Sequence, residues 1–403
     1  MNRKDNALFD EYEVPVALQT NITSVREALE KGWLSEEAML PYRIPNILSF
    51  DLVLSTAMTG DYIEKRDLTE MISLRELIQN ALDETELLNG KPEAAISQDD
   101  SGTWLKDTGK GISIESFQLG MSDKASWMRG FYGEGMKIAS FYFSLHQKPV
   151  FIFSHNKVFC FFPLRFPEQT QTNLFVLIGK TNHHVPGTQV FIKGFFPVKE
   201  EVNRITSFWN PALQGKLIAE DWALSAGSDK KMPSRIYDYP DQLYIRNMYI
   251  GPMSIVAKRE ALLSYDLWWF RLDISRKIMT HSVPLLFKEI ANILDRSPSC
   301  RKVYVKKLVE SGKLLKRNYK NSLIVEFNPI FATVEGHLFV YACPTGIIED
   351  FIHELGLDEK AHLLRRIDHY EEIDEVVDRG FIPFYFHYEL DEGLKKVPKM
   401  DRV

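Results

Sequence analysis

Three polar side chains stand at helical spacing in the stretch of residues 74–84. Glu76, Asn80 and Asp83 follow one another at i, i+4 and i+7, so a helix carries all three on one face, toward a cleft or solvent. A carboxylate can orient and deprotonate water, and an amide oxygen can bind a magnesium ion that neutralises phosphates. The pattern therefore predicts a site for phosphoanhydride hydrolysis, with Glu76 as general base and Asn80 as magnesium ligand.

A short glycine loop comes next in the chain. Asp107, Gly109 and Gly111 follow a strand-like stretch at residues 103–105. Glycines let the backbone approach a flat base, and a buried carboxylate accepts a hydrogen bond from an exocyclic amine. The loop therefore favours an adenine as its ligand.

A second glycine cluster precedes another helical pattern. Gly130, Gly133 and Gly135 lead directly into residues 136–141, and backbone N–H groups at a helix start can bind phosphate oxygens. Lys137 and Lys124 can add positive charge. No strand leads into Gly130 and the chain lacks βαβ alternation, which argues against a dinucleotide fingerprint, and a Walker A sequence is missing.

In this order the motifs resemble the GHKL ATPase superfamily, which includes gyrase B subunits, MutL, MORC proteins, the ninety-kilodalton heat-shock chaperone and sensor histidine kinases. The resemblance implies that Glu76 is the general base, that Asn80 binds magnesium and that Asp107 recognises adenine. It also implies that the second glycine cluster closes over the phosphates, and that Gly187 and Thr188 lie near the adenine.

The segment between the glycine clusters is most similar to the lid of MORC-type and chaperone-type members, with Ser122 and Lys124 as phosphate contacts. One departure concerns Glu84, because the family usually has a small residue after the aspartate of the helix. The resemblance implies the following nucleotide-binding residues: Asn80, Asp83, Asp107, Gly109, Gly111, Ser122, Lys124, Gly130, Tyr132, Gly133, Glu134, Gly135, Met136, Lys137 and Thr188.

A later part of the chain is similar to the opening of the chaperone's middle domain. It comprises residues 243–250, 266–267 and 272–279. In that family an arginine of the matching run reaches the γ-phosphate, so the resemblance implies that Arg276 senses the terminal phosphate. An arginine that arrives from another domain can stabilise charge during phosphoryl transfer.

The elements that must position these residues are helices first and antiparallel strands later, which predicts an α+β fold. Strands are predicted at residues 150–154, 158–162, 174–178, 188–192, 267–274, 322–327 and 338–343. The resemblance implies a Bergerat-type α/β sandwich over residues 1–200 and a transducer-like domain over 241–300. Between them we expect a connecting segment at 201–240, and after them a C-terminal α/β region at 301–403.

The composition of the chain bears on which classes of partner it can bind. The chain has 403 residues and a formal charge of −6, so it carries no overall basic footprint for nucleic acid. Basic residues concentrate at 302–307 and 313–317. Three widely spaced cysteines suit a reducing compartment, and no apolar run reaches the length of a membrane span, so we expect a cytoplasmic protein without a membrane partner.

These observations lead to one main hypothesis and two alternatives. The main hypothesis is an ATP-gated conformational switch that binds ATP and Mg²⁺, hydrolyses ATP slowly and forms a homodimer when ATP binds. The first alternative is a nucleotide-binding regulatory or scaffold module that does not hydrolyse ATP. The second is a DNA-processing ATPase of MORC or MutL character. The partner is accordingly a protein client or DNA.

Overall fold

Helices and largely antiparallel sheets make up the chain, which is α+β as predicted. The computed structural model describes residues 3–66, 68–117, 128–129, 134–166, 169–222, 232–256, 260–270, 283–310, 314–319, 322–327, 362–364 and 381–385. The chain divides into two compact units, Met1–Val202 and Asn203–Val403.

Unit 1 contains a sheet and the helices that carry the predicted site. Its helices are α1 (Arg3–Glu11), α2 (Val25–Glu30), α3 (Glu36–Met39), α4 (Gly60–Glu64), α5 (Glu70–Asn89) and α6 (Gly135–Leu145), and α7 (Lys199–Arg204) runs across the boundary with unit 2. Its strands are β1 (Ile22–Ser24), β2 (Ile47–Thr59), β3 (Ala95–Asp99), β4 (Gly102–Lys106), β5 (Val150–Leu164) and β6 (Asn173–Lys193).

The sheet of unit 1 has the order β1-β2-β6-β4-β3, with β5 paired along β6, and every pairing is antiparallel. The long strand β6 pairs with β2 through its first half and with β4 through its second half. The four strands predicted between residues 150 and 192 are therefore parts of only two strands. All four stretches are strand as predicted, and only their division was wrong. The turn-like residues between them, 155–156 in β5 and 181–187 in β6, lie in an irregular part of the β5–β6 pairing and do not end the strands.

Both faces of this sheet are covered. Phe159 and Phe161 of β5 contact Phe117 of the 3-10 helix Ile114–Phe117, and Phe161 also contacts Phe141 of α6. Because side chains alternate along a strand, the intervening positions face the opposite side. There the N-terminal helices cover a second core, which includes Val25, Ala28, Leu34, Tyr42, Phe153, Cys160 and Leu177. The result is three layers, with α5 packed against α6 and β4.

Unit 2 contains a five-stranded sheet of order β10-β9-β11-β8-β7. Its strands are β7 (Leu217–Asp221), β8 (Ser234–Tyr237), β9 (Gln242–Ile245), β10 (Met248–Pro252) and β11 (Ser264–Leu267), and only β9 and β11 pair in parallel. The helices are α8 (Met253–Val256), α9 (Val283–Arg296) and α10 (Pro298–Glu310). Residues 201–240, which the sequence predicts as a connection, thus contribute two strands to this sheet.

A four-stranded sheet follows, of order β12-β13-β15-β14. It consists of β12 (Leu314–Tyr319), β13 (Ser322–Phe327), β14 (His362–Leu364) and β15 (Phe381–Tyr385). The predicted strand at 322–327 is confirmed. The strand predicted at 267–274 overlaps β11 only at Leu267, and residues 271–274 and the strand predicted at 338–343 lie outside the described residues.

Cys160 and Cys300 are buried free thiols. Within the described ranges, no helix combines the length and the apolar composition needed to cross a membrane.

Candidate functional site

Helix α5 carries Glu76, Asn80 and Asp83 of the predicted site. The Thr69 side chain caps its start by accepting a hydrogen bond from the Ile72 N–H at 3.2 Å, and Gly90, with φ 72°, ends it in the left-handed conformation. The polar face predicted to look into a cleft or solvent is mostly buried. Glu76 is 4% exposed and Asp83 is fully buried, whereas Asn80 is half-buried.

Glu76 and Asn80 are held by contacts within α5. The carboxylate of Glu76 lies 3.4 Å from the guanidinium of Arg75, and the Asn80 amide nitrogen donates to the Glu76 carbonyl at 2.8 Å. The second bond uses the amide as a donor toward the helix backbone. It therefore fixes the rotamer of the side chain whose oxygen is the predicted magnesium ligand.

Asp107 joins the first glycine loop to Thr188 through hydrogen bonds to the backbone. Its Oδ1 accepts hydrogen bonds from the backbone N–H groups of Gly109 at 2.8 Å and Thr188 at 3.0 Å, and its own N–H donates to the Thr188 carbonyl at 2.9 Å. Burial is the main cause that raises the pKa of Asp107 to about 6. The two backbone N–H groups and the Thr188 side chain oppose that rise, and the charge of Glu84 adds to it.

Backbone packs closely around Asp107 where glycines stand. A Cβ atom on Gly187 would lie 2.7 Å from the Asp107 carbonyl oxygen and 2.9 Å from the Gly109 nitrogen. A Cβ on Gly111, where φ is 86°, would lie 2.5 Å from the Ser154 hydroxyl. These positions need glycine because another side chain would collide with the loop.

Ser154 anchors the far end of the loop, and sequence reasoning missed it. Its buried hydroxyl accepts a hydrogen bond from the Ile112 N–H at 2.9 Å. No local pattern in the sequence points to Ser154, because its contact with Ile112 spans 42 residues along the chain. The loop is thus fixed by Thr188 at one end and by Ser154 at the other.

The same loop rests on the C-terminal half of α5. A Cβ on Gly109 would lie 2.8 Å from the Glu84 Cβ, and the Asn89 amide donates to the Thr108 hydroxyl at 3.2 Å. A helix rises about 1.5 Å per residue, so Asn80 and Glu76 lie about 6 and 12 Å along the axis from Glu84. The structure therefore brings the glycine loop and the predicted hydrolytic residues onto one helix.

Asp83 is engaged by Arg129, which sequence reasoning also missed. Its Oδ1 accepts from the Arg129 backbone N–H at 2.9 Å and lies 3.3 Å from the guanidinium, which is 2.7 Å from Glu86. The three side chains are almost completely buried. The nucleotide-binding role of Asp83 stays a prediction, and its observed contact joins α5 to the residue before Gly130.

The start of α6 is the described part of the second glycine cluster. Glu134 precedes the helix and accepts hydrogen bonds from the Tyr62 hydroxyl at 2.7 Å and from Arg66 at 3.3 Å. Gly135 and the half-buried Met136 open the helix. The described residues 134–136 are thereby connected to α4 and the segment after it.

Lys137 is fully buried, and its ammonium donates to the Ser116 carbonyl at 3.3 Å. Burial lowers its pKa to about 8, and the nearby Glu134 opposes that change. Its predicted contact with phosphate stays a prediction. The remaining predicted residues lie outside the described part of the chain: Ser122, Lys124, Gly130, Tyr132, Gly133 and Arg276.

The basic residues at 302–307 and 313–317, which would bind DNA in the DNA-processing alternative, fall partly on α10. There Lys307 lies 2.6 Å from Asp238, and Lys306 lies 3.9 Å from Glu310, so part of this charge is neutralised. In the part of the chain that the structure describes, no group of three or more His, Cys, Asp or Glu side chains could hold a metal ion.

Comparison with known proteins does not assign a family. No protein-family model matches the chain, and no curated protein matches it significantly.

Proposed function

We propose that unit 1 is a Bergerat-type α/β sandwich that binds Mg-ATP, and that the chain is an ATP-gated switch with slow hydrolysis. The observation that supports this proposal most is the contact of Asp107 with Gly109 and with Thr188, which is 81 residues away in sequence. Two motifs that the GHKL resemblance assigns to adenine recognition meet there. The glycine loop packs on α5, which carries Glu76, Asn80 and Asp83.

The chemistry around Asp107 suits a base with an exocyclic amine. Its Oδ1 is used by two backbone N–H groups, whereas neither of those bonds uses Oδ2. A carboxylate in a buried setting forms stronger hydrogen bonds than one in water. Gly109 and Gly187 let the backbone pack closely around Asp107, which holds its carboxylate in place for such a base.

The other end of α5 suits the phosphates. Asn80 would hold Mg²⁺, which would neutralise charge on the triphosphate. Glu76 would orient a water molecule and accept its proton as the water oxygen attacks the terminal phosphorus. The bond from that phosphorus to the bridging oxygen would break, which yields ADP and phosphate.

Slow turnover is part of the proposal because Glu76 already has a partner. Its carboxylate lies 3.4 Å from the Arg75 guanidinium, so an attacking water molecule would compete with that contact for Glu76. The same contact supports the second candidate, a module that binds nucleotide without hydrolysing it. The phosphate-sensing role of Arg276 and the ATP-dependent dimer rest on the sequence resemblance alone.

Magnesium-dependent ATP binding and steady-state hydrolysis of the full chain test the proposal. We expect Glu76→Gln to keep ATP affinity and to lower turnover by about 100-fold or more. We expect Asp107→Asn to weaken ATP binding by about tenfold or more, because one acceptor is lost. The matched control is Glu30→Gln, on the exposed surface of α2, which should change neither quantity.

Three outcomes separate the candidates. Turnover that depends on Glu76 supports the ATPase. ATP binding without turnover in the unmodified chain supports the non-hydrolysing module. A folded chain that binds no adenine nucleotide would overturn both.

A further inference from the structure

Glu84 lies beside Asp107 at the proposed base site. The ideal Cβ position of Gly109 is 2.8 Å from the Glu84 Cβ and 3.1 Å from the Asp107 Oδ1. Both residues therefore border the same small volume. Asp107 is 6% exposed, and the Oε2 atom of Glu84 is buried.

The two carboxylates interact electrostatically. The charge of Glu84 contributes to the raised pKa of Asp107, in addition to burial, which is the larger cause. Beside Asp107, α5 contributes Glu84 and β6 contributes the uncharged Thr188, while the loop itself carries Lys110 and His155 of β5 lies next to Gly111. The charge of Glu84 acts on Asp107 in the direction that opposes its ionisation.

We propose that Glu84 is a specificity-determining residue that makes the base site prefer a purine with an amino group at C6 over one with a carbonyl there. This inference rests on the proposed function. An amino group offers a donor to Asp107, and the charge of Glu84 strengthens that attraction. A carbonyl oxygen brings lone pairs toward two carboxylates, so Glu84 raises the penalty for binding it.

A purely structural role for Glu84 predicts a different result. Glu84 also packs under Gly109, and a change in packing would move the loop for every nucleotide. Affinities for amino and carbonyl purines would then fall together. The ratio of the two affinities therefore separates a role in selectivity from a role in packing.

The experiment measures binding of Mg-ATP and of Mg-inosine triphosphate, whose base has a carbonyl at C6, to the full chain at pH 7.5. We expect Glu84→Gln, which keeps the shape and removes the charge, to relax the preference for ATP by about tenfold. Glu84→Asp keeps the charge and should keep the preference. The control is Asn89→Ala, which removes an uncharged contact to the same loop and should weaken both nucleotides equally.

A second measurement is the acid limit of ATP binding, which is the pH below which the chain loses its affinity for ATP. Because Glu84 raises the pKa of Asp107, Glu84→Gln should move the loss of ATP affinity to lower pH. The inference is overturned if the unmodified chain prefers ATP and Glu84→Gln leaves both the preference and the acid limit unchanged. If the unmodified, folded chain binds neither nucleotide, the proposed function fails and this inference fails with it.

Discussion

Replacing Arg129 with methionine should destabilise α5 far more than the loss of an ordinary ion pair. The guanidinium of Arg129 lies 3.3 Å from the Asp83 Oδ1 and 2.7 Å from the Glu86 Oε2. The three side chains are 1%, 0% and 3% exposed, respectively. Methionine would fill much of the volume and leave two buried carboxylates without this positive charge.

The expected cost is about 3 to 5 kcal/mol, which is typical when one partner of a buried pair is removed. The Arg129 backbone N–H still donates to Asp83 at 2.9 Å, so most of the loss should fall on Glu86. A double variant, Arg129→Met with Glu86→Gln, removes that charge as well. It should recover about half of the lost stability, because a neutral amide costs less to bury than a carboxylate.

Hydrogen-exchange mass spectrometry of α5 measures this free energy of opening and reports unit 1 separately from unit 2. The matched control is Arg26→Met, whose pair with Glu30 is 81% and 63% exposed and should contribute less than about 0.5 kcal/mol. A cost below about 1 kcal/mol for Arg129→Met, or no recovery in the double variant, would refute the reasoning.

Three further predictions concern the base site and unit 2. Asp107→Asn should raise the free energy of unfolding at pH 7 by about 2 to 3 kcal/mol, because the pKa of Asp107 is raised to about 6 in the folded state. The stability of the unmodified chain falls as pH rises toward 6, so urea titrations should show this gain growing between about pH 4 and 6 and none at lower pH. Gly187→Ala should lower the free energy of unfolding by about 1 to 3 kcal/mol and abolish ATP binding, because its Cβ would lie 2.7 Å from a backbone oxygen. The control is Gly194→Ala, where φ is 71° and no atom lies within 4 Å of the added Cβ. In urea titrations it should lower the free energy of unfolding by about 1 kcal/mol, and it should keep ATP binding. Asp266→Ala should cost about 2 to 4 kcal/mol, because Asn247 loses acceptors at 2.7 and 2.9 Å, and unchanged hydrogen exchange in β9 and β11 would contradict this.

Local patterns predicted the elements that carry the site. The helical period of residues 74–84 is found in α5. Such features depend on neighbours a few residues away, so the sequence alone contains them. The strands between 150 and 192 were divided wrongly because turn-like residues within β5 and β6 are held in the sheet by pairing between strands that are distant in sequence.

The sequence by itself determined the residue types, the order of the motifs and the helical spacing of the polar residues in α5. Only the tertiary structure decided which distant groups meet. It buried Asp83 against Arg129, set Glu84 beside Asp107 and gave Ser154 to the loop. The physical reason is that hydrogen bonding and desolvation depend on neighbours brought close by the packing of α5 and the sheet, and spacing along the chain does not specify those neighbours.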